Sequence, residues 1–365
     1  MLVFNRPLHT SLALAYALCN KHHKTDLHVH YSIHRNAQPP SKSLDALLRD
    51  LAARGDITLH YLLSKENQSC GGNVNSLMMT MSAAFEYDYF VKIDDDVLIG
   101  RHEDATMCSL LNKLEESEGV LLLMGQAVRE HMRGSRPFCW ETTVDGYRVV
   151  QRSNRANPME TMTAVSPRLL GFLEDSGKPS GCENEKGTFI PYTRKLTAAG
   201  ARTGLVLTPA IQLQHIGLTS EIDRGSTRSW APARDYATNS VIDMPCFDFA
   251  TWEASHKDNA VNAYTLSVLR DLQGAYPAQK AMLERLENHV ASYDPKSDDE
   301  VPLPKDPKRY KSVSVVSRKE FEKERTNGTT VRTPRTVKRV RVVKPPKPSK
   351  MKQRRRTSPI GATDV

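Results

Sequence analysis

Apolar runs separated by polar turns divide the first 245 residues into short strands and helices. Leu2 to Phe4 is an apolar strand that ends at Asn5-Arg6-Pro7, a turn signal. Thr10 or Ser11 then caps a helix through Leu12, Leu14, Ala15 and Leu18. Leu27 to Ile33 alternates as a strand, and a polar loop follows from Arg35 to Ser43. Leu44 to Ala53 has the spacing of an amphipathic helix, Gly55 stops it, and Ile57 to Leu63 is a third strand. Strand, helix, strand, helix, strand with short links is the grammar of a parallel, doubly wound α/β sheet.

Further along, Gly71-Gly72-Asn73-Val74-Asn75 precedes a Met-rich helix, Ser76 to Phe85. Two glycines there would let backbone N–H groups approach a phosphate. Ala105 to Leu114 reads as a helix and Val120 to Met124 as a buried strand. Arg148 to Arg155 and Glu160 to Val165 read as antiparallel strands of a second, acceptor-side layer. Ile190 to Ala199 is a helix closed by Gly200; Leu205 to Thr208 and Ile211 to Ile216 are strands. A polar loop, 218–245, carries Arg224, Arg228, Trp230 and Arg234. Two helical stretches follow, about 256–273 and 278–292, separated by Pro277. Met282, Leu283, Leu286 and Val290 share one face of the second, which suits docking on the body.

The most informative stretch is Tyr87 to Gly100, YDYFVKIDDDVLIG. A buried strand, Tyr89 to Ile93, delivers three consecutive carboxylates, Asp94, Asp95 and Asp96, and Val97-Leu98-Ile99 follows at once. Adjacent acids repel one another, and burying them unpaired is expensive. A strand end flanked by core on both sides therefore calls for a divalent cation or a cationic partner. In open α/β sheets the ligand crevice lies outside the carboxyl ends of the strands, where this cluster falls.

Charge changes the picture. The formal charge of +9 is concentrated in residues 301–365, which hold about 20 Lys and Arg against about 5 Asp and Glu, and residues 1–300 carry roughly −6. From about Asp294 the chain is rich in Pro, Lys and Arg with few apolar anchors and is expected to be disordered. Arg332 to Arg356 suits phosphate-rich partners, since each neutralised phosphate releases counterion. It lacks aromatics for base stacking, so it reads as a tether, not a reader, spanning 305–356. DNA is the favoured partner, and an anionic membrane surface bearing a lipid-linked or cell-surface glycan is the alternative. The six cysteines show no metal spacing and read as reduced thiols. With no apolar leader and no membrane-length apolar run, the expectation is a cytoplasmic protein, bacterial or within an infected host.

In this order the motifs resemble a GT-A glycosyltransferase, most closely the family-2-like inverting enzymes, over residues 1–245. The carriers are Phe4-Asn5-Arg6-Pro7, Asn73 with its glycines, Asp94-Asp95-Asp96, Glu183 and Glu185 before Arg194-Lys195-Leu196, and His215-Ile216-Gly217. The resemblance implies a Rossmann-like mixed sheet flanked by helices, then a helical extension, 246–293, and a disordered tail, 294–365. It implies a UDP-sugar donor and Mn²⁺ or Mg²⁺ held by Asp96, Asp94 and His215, an imidazole favouring Mn²⁺. Asp94 would contact ribose or metal, while Asn5, Arg6, Pro7, Asn73, Asp95 and Arg224 would face the donor. The general base is Glu185, with Glu183 close behind; the family's usual acidic pair is broken into Glu183-Asn184 and Glu185-Lys186. His34-Arg35-Asn36 stands where the family often places an acid for the nucleobase, so the base is left open. With its tail, the chain resembles viral or bacterial enzymes that decorate DNA, the acceptor being a hydroxymethylated pyrimidine. A metal-dependent nucleotidyltransferase or nuclease acting on DNA is the reading from another class, and it would need further carboxylates on neighbouring strands.

Overall fold

The computed structural model describes residues 1–34, 41–64, 87–125, 138–152, 162–169, 202–217 and 232–294, with the backbone of 314–316. The chain divides into two compact units, residues 1–328 and 329–365, and the second lies wholly outside the described residues.

Residues 1–34 and 41–64 fold largely as their pattern predicts, while the helix expected over Ser76 to Phe85 lies outside the described residues. Strand β1 (Leu2–Val3) leads into helix α1 (Pro7–Asn20), β2 (His28–His34), α2 (Lys42–Arg54) and β3 (Thr58–Ser64). Helix α1 starts earlier than a Thr10 or Ser11 cap would allow. Pro7 is its first residue, with φ pre-set for a helix, and Thr10 is buried inside it. Ser41 caps α2 by accepting from the Leu44 N–H at 3.1 Å, and Gly55 ends it in the left-handed region at φ 82°. Strands β1, β2 and β3 pair in parallel, in that order.

The Asp strand is β4 (Phe90–Ile93), followed after the three acids Asp94, Asp95 and Asp96 by β5 (Val97–Ile99). Then come α3 (Glu103–Glu118), β6 (Val120–Gly125), β7 (Phe138–Val144), β8 (Tyr147–Arg152), β9 (Met162–Val165), β10 (Arg202–Thr208) and β11 (Leu213–His215). Strands β8 and β9 form no second layer. They belong to the same six-stranded mixed sheet as β4, in the order β4-β9-β6-β10-β8-β7. Strand β9 is antiparallel to both β4 and β6, and its four residues are all buried, as an inserted central strand requires. A parallel bridge between Leu2 and Asp94 joins this sheet to β1. The chain therefore builds outward from β1 through β2 to β3, then returns to start β4 on the other side of β1. That reversal is the topological switch point of an open α/β sheet.

Three helices, not two, close the described residues: α4 (Phe249–Lys257), α5 (Val261–Ala275) and α6 (Lys280–Ser292). The break before α5 falls at Asn259, which holds φ 54°. Met282, Leu283, Leu286 and Val290 are buried, and α6 packs on α1 and α2. Helix α5 packs on α1, so this extension shares the hydrophobic core of the body. Within the segment expected to be disordered, β12 (Ser314–Val316) pairs antiparallel with β3. Its backbone pairs along the outer edge of β3 in the sheet of β1, β2 and β3.

One face of β2 and β3 is histidine-rich. Val29, Tyr31 and Leu59 enter the core, while alternation sends His28, His30 and His60 to the other face. His30 stands in register with His60 and stacks on it at 4.5 Å; His28 Nδ1 lies 3.0 Å from His60 Nε2. Burial pushes all three imidazoles below their ordinary range, His60 to about 4. The unfolded chain then binds more protons than the folded one between about pH 6.5 and 4. Stability is full above that window and is lost as pH falls through it. The urea midpoint should drop over this range, and His60→Gln should flatten the drop.

Candidate functional site

Strands β1 and β4 end side by side, so the sequences that follow them meet. The three acids after β4 find three different surroundings. Asp95 is fully buried: one oxygen accepts from the Phe4 N–H at 2.7 Å and the Thr10 hydroxyl at 3.2 Å, and the other binds the Arg6 guanidinium. Asp96 Oδ2 accepts from Arg6 Nη1 at 2.6 Å and lies 3.2 Å from His215 Nε2. Asp94 Oδ2 accepts from Lys92 Nζ at 2.7 Å, and the Lys92 side chain is wholly buried.

The electrostatics follow. Burial opposes the charge of Asp96, but Arg6 and then His215 outweigh it and hold this carboxyl well below the usual range. Burial pushes Asp94 the other way, above its ordinary value; Lys92 resists and the Asp96 charge adds to the rise. Burial also works against the Arg6 cation, and Asp95 and Asp96 together reverse that effect.

His215 reaches Asp96 through the β11–β5 pair. The two strands are antiparallel with His215 opposite Val97, and the Ile216 N–H donates to the Asp96 carbonyl at 2.8 Å. Gly217 is required by the packing. A β-carbon there would sit 2.3 Å from Asp96 Oδ2 and 2.9 Å from His215 Cε1. The Gln214 amide braces the turn, donating to the His215 carbonyl at 2.7 Å and accepting from the Ala233 N–H at 2.8 Å.

Of the residues read from sequence, Arg6, Asp94, Asp95, Asp96 and His215 are brought together. Asn5 sits at the same strand end, where its side-chain oxygen accepts from the Ser41 N–H at 2.7 Å and the Tyr31 hydroxyl at 3.3 Å. Pro7 begins α1. Asn73, Glu183, Glu185, Arg224, Arg228 and Trp230 lie outside the described residues, as does nearly all of 305–356. Sequence reasoning missed Lys92, Thr10, His9 and Trp252. Lys92 alone left a signal, a cation inside an apolar strand run. His9 meets Trp252 edge-on at 5.3 Å; burial, helped by the Arg6 charge, pushes its imidazole down to about 3.

Among the described residues no group of three or more His, Cys, Asp or Glu is arranged to enclose a metal ion. Asp96 Oδ2 and His215 Nε2 stand 3.2 Å apart as an ion-pair contact, with Arg6 Nη1 on the same oxygen. Two donors at right angles on a divalent cation, with bonds of ~2.1 Å, stand ~3 Å apart, so this spacing fits. Such a pair suits a hard cation that completes its shell with water and substrate phosphate. None of the described helices is long and apolar enough to cross a membrane.

No protein-family model matches this chain, and no curated protein matches it. Among solved structures it is similar to UDP-glucose pyrophosphorylase complexed with UDP-glucose, at 15% identity and TM-score 0.31, covering 55% of this chain and 76% of that one. UTP-bound UGPase from Acinetobacter baumannii gives 11% identity and TM-score 0.30, covering 55% and 74%. HddC from Yersinia pseudotuberculosis gives 14% and 0.24, covering 49% and 68%. Similarity at this level leaves function to be argued from the site.

Substitutions at Asp95 and Gly217 should have different effects. Asp95→Ala strips three buried donors of their acceptor and should lower stability by about 3–5 kcal/mol in urea unfolding. Gly217→Ala should lower it by about 1–3 kcal/mol through overpacking and should separate Asp96 from His215, read as weakened Mn²⁺ binding in calorimetry.

Proposed function

We propose that this chain is a divalent-cation-dependent glycosyltransferase that moves a sugar from a nucleotide-sugar donor, a UDP-sugar, to an acceptor hydroxyl. One observation carries the reading: the Asp96–His215 pair, with Arg6 beside it, stands where the strand order reverses and open α/β sheets take their ligands. A nucleoside diphosphate leaving group gains negative charge as the glycosidic bond breaks. Mn²⁺ or Mg²⁺ held by Asp96 and His215 would neutralise that charge.

The chain's own residues set the conditions. Arg6 keeps Asp96 ionised and therefore ready to ligate. Asp95 is spent on anchoring Arg6 and the β1–α1 turn, and so acts on the donor through Arg6 alone. Asp94, already paired with Lys92, is assigned to a ribose hydroxyl or the edge of the metal shell. Asn5 and Pro7 shape the turn beneath the donor, with Asn73 and Arg224 assigned to its diphosphate. Glu185, or Glu183, takes the proton from the acceptor oxygen as it attacks the anomeric carbon, which would invert the configuration. The acceptor assigned here is a hydroxymethylated pyrimidine in DNA. What supports that choice is the basic segment 305–356, which suits a polyanion.

The deciding experiment measures products from UDP-sugars with Mn²⁺ and plain DNA, hydroxymethylated DNA, or pyrophosphate. UDP release that requires modified DNA, and that falls at least 100-fold in His215→Ala, is the expected result. UTP formed from UDP-glucose and pyrophosphate would place the chemistry with nucleotidyl transfer. No product under any condition would overturn the reading.

A further inference from the structure

We infer that Trp252 is a positioning residue for His215, and that helix α4 thereby forms part of the metal-ligating site. The inference rests on the reading of Asp96 and His215 as the ligand pair. Strand β11 is only three residues long and pairs with a single three-residue neighbour, β5. A ribbon that short has little rigidity of its own. Its end is held from outside.

The Trp252 indole N–H donates to the Ile216 carbonyl at 2.8 Å, in a fully buried contact. That carbonyl belongs to the peptide unit that joins Ile216 to Gly217, whose N–H donates to His215 Nδ1 at 3.2 Å. The Ile216 N–H is bound to the Asp96 carbonyl, so the peptide units around Ile216 are fixed from both sides. An imidazole 3.2 Å from its carboxylate neighbour can keep that spacing only if the backbone beneath it is fixed.

The ring that does the fixing is itself located by three helices. The Asp248 carboxylate caps α4, accepting from the Thr251 N–H at 2.6 Å. The Tyr264 hydroxyl of α5 meets the Asp248 N–H at 2.7 Å and its carbonyl at 2.9 Å. On its other side Trp252 meets His9 of α1 edge-on at 5.3 Å, and His256 of its own helix at 4.5 Å. Trp252 thus transmits the placement of α1 and α5 to the His215 backbone. A buried indole N–H without its acceptor would be costly, so ring and carbonyl constrain each other.

The test uses the full chain and Mn²⁺ as probe, with free Mn²⁺ read by electron paramagnetic resonance and amide exchange followed in the peptide spanning 213–217. Trp252→Phe keeps most of the ring and removes the donor. It should weaken Mn²⁺ binding about 10-fold or more and speed exchange at Ile216 by a similar factor. Asp248→Ala, which frees the start of α4 and leaves Trp252 in place, should move both readouts the same way by less. Leu283→Ala, in the buried face of α6, should lower the melting temperature at least as far and move neither. Mn²⁺ affinity within twofold of wild type together with unchanged exchange in Trp252→Phe would overturn the inference. Equal shifts from Leu283→Ala would reduce it to general stability. Wild-type protein that binds Mn²⁺ no better than His215→Ala would remove the functional reading, and exchange at Ile216 would then decide the positioning role by itself.

Discussion

Everything at the head of this sheet depends on the Arg6 guanidinium, which binds Asp95 and Asp96 together. Three consecutive carboxylates at a buried strand end would repel one another and lose several kcal/mol each in hydration. The fold answers with two cations and a backbone donor: Lys92 for Asp94, Arg6 for the other two, and the Phe4 N–H for Asp95. Arg6 can serve only because β1 lies next to β4, joined through the Leu2–Asp94 bridge. Sheet order and charge compensation are therefore one constraint. A topology that set β1 elsewhere would take Arg6 from Asp95 and Asp96 and the Phe4 N–H from Asp95, and an apolar residue at position 6 would leave this order without a stable interior.

The same constraint divides labour among the acids. Asp95, enclosed by α1 and the turn before it, is a structural anchor, and its neighbours inherit their rigidity from it. Asp96 keeps a slight opening, is held ionised, and faces His215. The C-terminal helices extend the arrangement. Helix α5 packs on α1 from behind, and Trp252 of α4 reaches the carbonyl beside His215. Residues from β1, β4, β11 and α4 thus converge on one short segment, and the body cannot be cut at residue 245 without exposing that contact.

Local signals explain what could be read from sequence. Phe90 to Ile93 and Val120 to Met124 are apolar runs bounded by polar residues, and Ser41 and Gly55 carry their capping roles in their own chemistry. The acids were legible because buried flanks make a charged triplet anomalous, and His215 because a glycine follows it at two residues' distance. Pairings across the chain were not legible. Met162 to Val165 has the pattern of any buried strand, and nothing in four residues says that it slips between β4 and β6. Helix α4 escaped notice because Ser255, His256 and Lys257 interrupt its apolar stripe, although Asp248 was available as its cap. The bond between Arg6 and Asp95 joins residues whose local patterns are independent, so spacing holds no trace of it.

A count of charge at the strand ends shows what a bound cation would change there. Asp94, Asp95 and Asp96 face Lys92 and Arg6, three carboxylates against two cations. The local balance is one negative charge. An anionic diphosphate would be repelled by that balance. In the proposed reading, one divalent cation on Asp96 would reverse it to a single positive charge, in surroundings where burial makes each charge count for more than in water. Neutralising all three acids with protein cations would have given a more stable strand end and no affinity for a metal. Sharing one guanidinium between Asp95 and Asp96 gives up some of that stability and leaves a strand end whose sign a bound cation would change, and the glycine at 217 keeps a side chain out of the space beside Asp96 and His215.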